Sequence, residues 1–116
     1  MKMFVSPSRI YLHRQFVDFR KSINGLSVII ESEIDLPVMS GALFIFCNKT
    51  KDKLKILYWD KTGFALWYKR LEKDKFKWPS RVDEDCIELS EQQLNWLLDG
   101  YDVIGHQAVS FQNIAL

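Results

Sequence analysis

The stretch from Gly41 to Pro79 sets the terms on which this chain can fold. It reads Gly-Ala-Leu-Phe-Ile-Phe-Cys-Asn, then Lys-Leu-Lys-Ile-Leu-Tyr-Trp-Asp-Lys-Thr-Gly-Phe-Ala-Leu-Trp-Tyr-Lys-Arg-Leu-Glu, then Lys-Phe-Lys-Trp-Pro. Aromatic and aliphatic β-formers come in short runs, broken by polar and glycine-bearing turns. The pattern predicts strands over Ala42 to Cys47, Lys53 to Trp59 and Phe64 to Glu72, with a short fourth over Lys75 to Trp78. Turns fall at Asn48 to Asp52, Asp60 to Gly63 and Lys73-Asp74. Lysine and arginine threaded through these strands equip one sheet face to hold an anionic polymer while the other buries a core.

Around this block the spacing predicts a strand near Arg9 to His13 and a helix from about Phe19 to Glu33, with Phe19, Ile23, Leu26 and Ile30 as its buried stripe. Asp18 stands where an N-cap belongs. Asp35-Leu36-Pro37 ends the helix, because proline disfavours helical geometry in the residue before it. After an acidic loop at Asp83 to Asp85, Ser90 and Gln93 form a capping box for a short helix bearing Leu94, Leu97 and Leu98, closed by Gly100. The fold these elements predict is α+β: an antiparallel β-sheet of four to five strands, the main helix packed on its apolar face and the short C-terminal helix at its edge. With 116 residues, 47% of them hydrophobic, the chain suits one domain over 1–104, followed by a tail at 105–116 without clear period.

The formal net charge of +1 conceals a segregation, with bases gathered between Lys49 and Lys77 and acids collected at Asp83 to Asp85 and in the two helical regions, so local charge is the informative quantity. Cys47 and Cys86 lack metal-ligand or disulfide-framework spacing and read as two reduced, buried thiols, which suits a cytoplasmic protein. No stretch reaches the length of a membrane span, and the N-terminus lacks a signal-peptide apolar run, so no membrane association is expected.

Hairpin geometry tells which side chains share a face. If Lys61-Thr62 joins its strands directly, Trp59 lies opposite Phe64. Carried through Lys73-Asp74, the same logic sets Glu72 opposite Lys75. One face then holds Leu54, Ile56, Tyr58, Ala65, Trp67, Leu71, Phe76 and Trp78, with Lys69 its only charge; that is the expected core face. The other holds Lys53, Lys55, Tyr68, Arg70, Lys75 and Lys77, with Leu57, Trp59, Phe64 and Leu66 toward the hairpin tip and Glu72 its only acid. That is a basic-aromatic platform for nucleic acid or a partner protein, or else an ordinary solvated face whose lysines discourage edge aggregation.

Arg20 and Lys21 fall in the first turn of the expected helix, where the macrodipole disfavours cations. Two readings follow: a phosphate cradle of these cations and the helix N-terminus, or a tether from Arg20 to Asp18 or another acid. Gly25, in mid-helix, is best explained by close packing against the sheet.

The same residues carry a resemblance. Asp18-Phe-Arg-Lys-Ser-Ile-Asn-Gly-Leu26, Gly41-Ala-Leu-Phe-Ile-Phe46, Lys55-Ile-Leu-Tyr-Trp-Asp60, Gly63-Phe, Lys69-Arg-Leu-Glu72, Phe76-Lys-Trp-Pro79 and Leu97-Leu-Asp-Gly100 resemble, in order from about residue 4 to 102, the small accessory protein of insertion sequence 66-type bacterial mobile elements. This is the Orf-two-like or TnpB family, distinct from the RNA-guided nuclease that shares the label. The resemblance implies a protein made beside a separate, larger transposase that carries the catalytic acids, and assisting transposition. Family members often end in a more basic tail, whereas this chain ends Gly105-His-Gln-Ala-Val-Ser-Phe-Gln-Asn-Ile-Ala-Leu116.

Asp18, Asp60 and Glu72 are the acids within the matching segments. Metal-dependent phosphoryl transfer needs convergent carboxylates, but Asp60 reads as a turn residue, Asp18 as a cap, and the hairpin register separates Asp60 from Glu72. His13 and His106 have no cysteine or acid at ligand spacing. No catalytic residue, metal site or cofactor is therefore expected. The function expected is a non-catalytic accessory role in DNA recombination of the mobile element, through DNA or transposase binding at Arg20, Lys21, Lys53, Lys55, Tyr68, Arg70, Lys75 and Lys77. The alternative is a protein-protein interaction module that docks a partner at its Trp59-Phe64 end without touching nucleic acid.

Overall fold

A five-stranded sheet forms the frame of the computed structural model, which describes residues 7–79 and 83–103. In chain order the elements are β1 (Ile10–His13), α1 (Ile23–Ile29) running into a π-helical turn (Ile30–Ile34), β2 (Leu43–Cys47), β3 (Lys53–Asp60), β4 (Gly63–Arg70), β5 (Cys86–Leu89) and α2 (Glu91–Leu98). The strands lie in the order β4-β3-β2-β1-β5. The expected tail at 105–116 lies outside the described residues.

The α+β class holds, but the sheet is mixed rather than antiparallel. β1 runs parallel to β2, with Ile10 beside Leu43, while every other pairing is antiparallel. The cause is the connection: a helix between neighbouring strands carries the chain back to the same end of the sheet, which gives a parallel pair. The β3–β4 register is the expected one, with Trp59 opposite Phe64 and Lys61 at positive φ (54°) in the turn.

β2 is buried along its whole length, so the sheet has apolar residues on both faces and a helix over each. On one face Leu54, Ile56, Phe76 and Trp78 pack with Leu94, Leu97 and Leu98 of α2. On the other, Phe44, Phe46 and Leu57 pack with Leu26, Ile29 and Ile30 of the α1 segment. This corrects the expected layering. The main helix covers the face assigned to the platform, and the C-terminal helix covers the Trp67-Trp78 face rather than an edge.

Two elements differ from expectation. Lys75 to Trp78 form no strand, so Glu72 and Lys75 are not ladder partners. That segment is anchored instead by Phe76 N–H donating to Lys51 O (2.7 Å) and Trp78 Nε1 donating to Arg14 O (2.8 Å), which carry both rings into the core. Conversely, the Cys86–Leu89 segment, placed in no element by its sequence, adds a short antiparallel edge strand against β1.

The main helix begins at Ile23, not near Phe19. Ser22 is its N-cap, and Leu26 N–H makes the first bond back to Ser22 O at 2.9 Å. The residues ahead of it form a strap in which Asp18 accepts the Arg20 N–H at 2.9 Å, an Asx turn rather than a cap. The carbonyls of Phe19 and Lys21, which a helix would use, point to the sheet and accept from Lys55 Nζ at 2.9 and 2.8 Å. At the other end Asp35 N–H reaches Ile30 O at 2.8 Å, closing the π-helical turn, and Asp35 itself adopts left-handed geometry (φ 60°). The capping box at Ser90 and Gln93 forms as expected, and Gly100 closes α2 at φ 93°. A Cβ on Gly25 would meet Lys21 Cβ at 3.0 Å, so the close approach there is to the Lys21 stem, not to the sheet.

Candidate nucleic-acid interface

The turn that joins β2 to β3 builds the centre of the cationic surface. Asn48, nearly buried, donates from Nδ2 to Thr50 Oγ1 (2.9 Å) and Asp52 Oδ1 (2.8 Å) and accepts the Lys53 N–H (3.0 Å). Thr50 Oγ1 adds a bond to Asp52 Oδ1 at 2.7 Å, and Lys51 takes positive φ (65°). Donors on Asn48 and Thr50 hold the Asp52 carboxyl below its usual pKa range. The polar groups of the turn thus satisfy one another, while the lysines at 49, 51 and 53 are displayed around it.

Beside the turn runs the strap. Its Val17, Asp18, Phe19 and Arg20, together with Asn48, Lys49, Thr50, Lys53 and Tyr68, line a cleft of about 510 Å³. A second cleft of about 500 Å³, lined by Gln15, Phe16, Val17, Asp18 and Lys49, adjoins the first through Val17, Asp18 and Lys49, the two forming a trough along the strap that also opens at Gln15 and Phe16 toward the larger groove between the strap and α1. Tyr68 is 49% exposed and Phe16 42%. Tyr68 leans on Phe19 with ring centroids 6.3 Å apart, and the Lys51 ammonium stands 6.0 Å from the Phe16 centroid.

Of the residues singled out in the sequence, Arg20, Lys53 and Tyr68 meet in this trough, and Arg70 lies directly across the ladder from Lys53. Lys55 shares their face but not their exposure. It is 7% exposed, its ammonium bonded to two strap carbonyls and set 4.8 Å from the Phe19 centroid and 5.9 Å from that of Tyr68. Burial pulls its pKa down, a tendency that the carbonyls and ring faces oppose. The solvent-facing position expected for Lys55 is therefore corrected: it is the peg that holds the strap. Lys21 lines a neighbouring groove on the other side of the strap, and Lys75 and Lys77 flank Phe76 on the coil after β4, off the sheet.

The conflict expected between Arg20, Lys21 and a helix dipole does not arise, since both precede the N-cap, and there is no helix-start cradle. Arg20 is instead tethered, with Nη2 2.6 Å from Asp18 Oδ2 and Nε within 3.1 Å of both carboxyl oxygens. Hydrogen bonds from the Arg20 guanidinium and backbone N–H hold the Asp18 carboxyl down at about 2. Arg70 is likewise paired with Glu72 at 2.9 Å. Among the described residues no lysine forms an ion pair, and around the Asn48 turn Lys49, Lys51 and Lys53 supply the cationic charge. Sequence reasoning missed Lys49, Lys51, Phe16 and the organising Asn48. The signal available was the Asn-Lys-Thr-Lys-Asp turn itself, in which lysines alternate with side chains able to bond one another.

A larger groove of about 890 Å³ lies between the strap and α1, lined by His13, Lys21, Glu33 and Asp85 among others. His13 is buried, with Nε2 3.5 Å from Glu33 Oε2 and Nδ1 lacking a partner. Cys47 is buried in the core, which pushes its thiol up to about 12 and leaves it unreactive. Among the described residues no helix is long and apolar enough to cross a membrane.

A mixed sheet with a helix over each face and a lysine-rich, ring-bearing trough at one end defines a small α+β protein whose distinctive surface is cationic. The chain belongs to the family described as IS66 Orf2 like protein, whose model matches residues 8–108. It is 35% identical over 101 residues to the uncharacterized protein y4jC of Sinorhizobium fredii (strain NBRC 101917 / NGR234), covering 84% of this chain and 86% of that protein. A second protein of the same organism, the uncharacterized y4hO, is 31% identical over 94 residues, 81% of each chain. No solved structure matches the chain. The family ties the protein to insertion sequences and to a role associated with their transposition.

Proposed function

We propose that this protein is a non-catalytic accessory factor in transposition of an IS66-type element and that it acts by holding DNA in the trough around Arg20, Lys49, Lys53 and Tyr68, beside the element's transposase. The observation that carries this reading is the convergence of unpaired lysines and half-exposed rings on one concavity in a chain of this family. Cations neutralise phosphates and release counterions, and rings receive bases. The non-catalytic part is supported by the dispersal of the motif acids: Asp18 is bound by Arg20, Glu72 by Arg70, and Asp60 lies at the opposite end of β4 from Glu72.

A second reading has its own support. Trp59 and Phe64 make an edge-to-face pair, 5.1 Å between centroids, at the half-exposed tip of the β3–β4 hairpin, a place where a protein partner could dock. Titration of labelled terminal inverted-repeat DNA and scrambled DNA across a salt series, with and without transposase, separates the two. DNA binding that weakens steeply with salt, with a slope reduced by one to two units in Lys49→Gln/Lys53→Gln, supports the trough. Salt-insensitive binding of transposase, lost in Trp59→Ala and without DNA affinity, overturns it in favour of the hairpin tip.

A further inference from the structure

Resting on that nucleic-acid reading, we infer that the strand held in the trough is unpaired DNA rather than duplex. The helices argue first. α1, its π-helical extension and α2 read INGLSVI, IESEI and EQQLNWLL, without one lysine or arginine. Duplex readers of the helical kind lay a helix in the major groove and hold the phosphates beside it with cations. Neither helix here is equipped for that, and both are spent covering the sheet.

The rings argue second. Tyr68 and Phe16 each keep nearly half their surface in water beside a cation, one in each cleft of the trough. A base within a duplex has both faces occupied by its neighbours, whereas a base in a single strand has faces free to stack on such rings. Lys49 lines both clefts, so its ammonium is available to a phosphate of a backbone that passes from one cleft to the other. Asp18, the carboxylate that lines both clefts, is neutralised by Arg20 at 2.6 Å. Tyr68 is held from below by Phe19 and the Lys55 ammonium, so its ring is positioned before any base arrives.

The experiment is fluorescence anisotropy of the full chain with a labelled deoxythymidine oligomer and with a labelled duplex of equal length, at low and at physiological salt. Single strand should bind about tenfold or more tighter than duplex. Tyr68→Leu, which keeps bulk without a π face, and Phe16→Ala should each weaken single-strand binding about tenfold and the weaker duplex binding far less. Tyr68→Phe should restore it, and Lys49→Gln should weaken both. Equal affinity for the two forms, or wild-type single-strand binding by Tyr68→Leu, overturns the inference while DNA binding itself stands. Binding of neither form overturns both this inference and the reading beneath it.

Discussion

Lys55 Nζ donates to the carbonyl of Phe19 at 2.9 Å, and through that bond the middle of the sheet decides where the main helix begins. A second bond to Lys21 O at 2.8 Å removes another acceptor that a helix starting near Phe19 would need. The strap is therefore held open, with Arg20 on the trough side and Lys21 on the groove side.

Lys55→Met tests this directly. The methionine keeps most of the stem but strands two carbonyls, and losing the donor should lower stability by about 1–3 kcal/mol in a denaturant titration. Freed of the ammonium, the Phe19 and Lys21 carbonyls can accept from Ile23 and Gly25, so backbone chemical shifts over residues 19–22 should move toward helical values. Wild-type stability with an unchanged helix start would show that the strap is fixed by something else.

The two tryptophans expected in the core differ in burial, and their costs should follow. Trp78 is 6% exposed and its Nε1 donates to Arg14 O at 2.8 Å, whereas Trp67, on β4 at the sheet edge, is only half-buried. Trp78→Ala should cost about 3–5 kcal/mol, and Trp67→Ala clearly less. A larger loss at Trp67 would mean that the coil after β4 contributes less to the core than its contacts indicate.

Much of this was legible in the chain. Polar turns and apolar runs located β2, β3 and β4, a two-residue turn fixed Trp59 opposite Phe64, and Ser90 with Gln93 marked the start of α2. What escaped depends on contacts distant in sequence. The strap is set by Lys55, thirty-odd residues away, and no local propensity at Phe19 encodes that. β5 is four residues whose strand character comes from pairing with β1. β2 is apolar on both sides, and that run, read as burial on two faces, would have shown that the supposed platform face also carries a helix. At the site, Lys53, Tyr68 and Arg70 followed from register alone, while Phe16 and Lys49 joined them only because the strap folds back beside the Asn48 turn.

His13 gives a pH signature. Burial lowers its pKa below the ordinary imidazole value of 6.5, and the nearby Glu33 and Asp85 carboxylates only partly oppose this, with Arg14 adding to it. In the unfolded chain the imidazole takes up its proton near 6.5, while the folded state resists until lower pH. Stability should therefore be full above that value and fall as pH drops from there toward the folded pKa. Chemical denaturation at a series of pH values, wild type against His13→Gln, isolates the contribution from other titrating groups. A variant with the same slope between pH of about 7 and 5 would remove His13 as the cause.

Asp18 offers the last test, because it does two things that can be separated. Its carboxylate anchors the strap by accepting the Arg20 backbone N–H at 2.9 Å, and it neutralises the Arg20 guanidinium at 2.6 Å inside a trough otherwise cationic. Since the folded carboxyl is held down at about 2 against the ordinary 3.8 of an aspartate, its stabilising effect is complete above the higher value and is lost as pH falls toward the lower. Asp18→Asn keeps an oxygen to accept the backbone N–H but removes the charge, whereas Asp18→Ala removes both. Near neutral pH the alanine variant should melt lower than the asparagine variant, because only the former leaves the Arg20 N–H without its partner. For DNA the order reverses the usual expectation of damage. Releasing Arg20 and deleting an anion from the trough should tighten binding by Asp18→Asn and steepen its salt dependence by up to about one unit, while Arg20→Gln should weaken it. If Asp18→Asn melts like wild type and yet binds DNA less well, phosphates do not lie beside Arg20 and the trough is not where the strand runs.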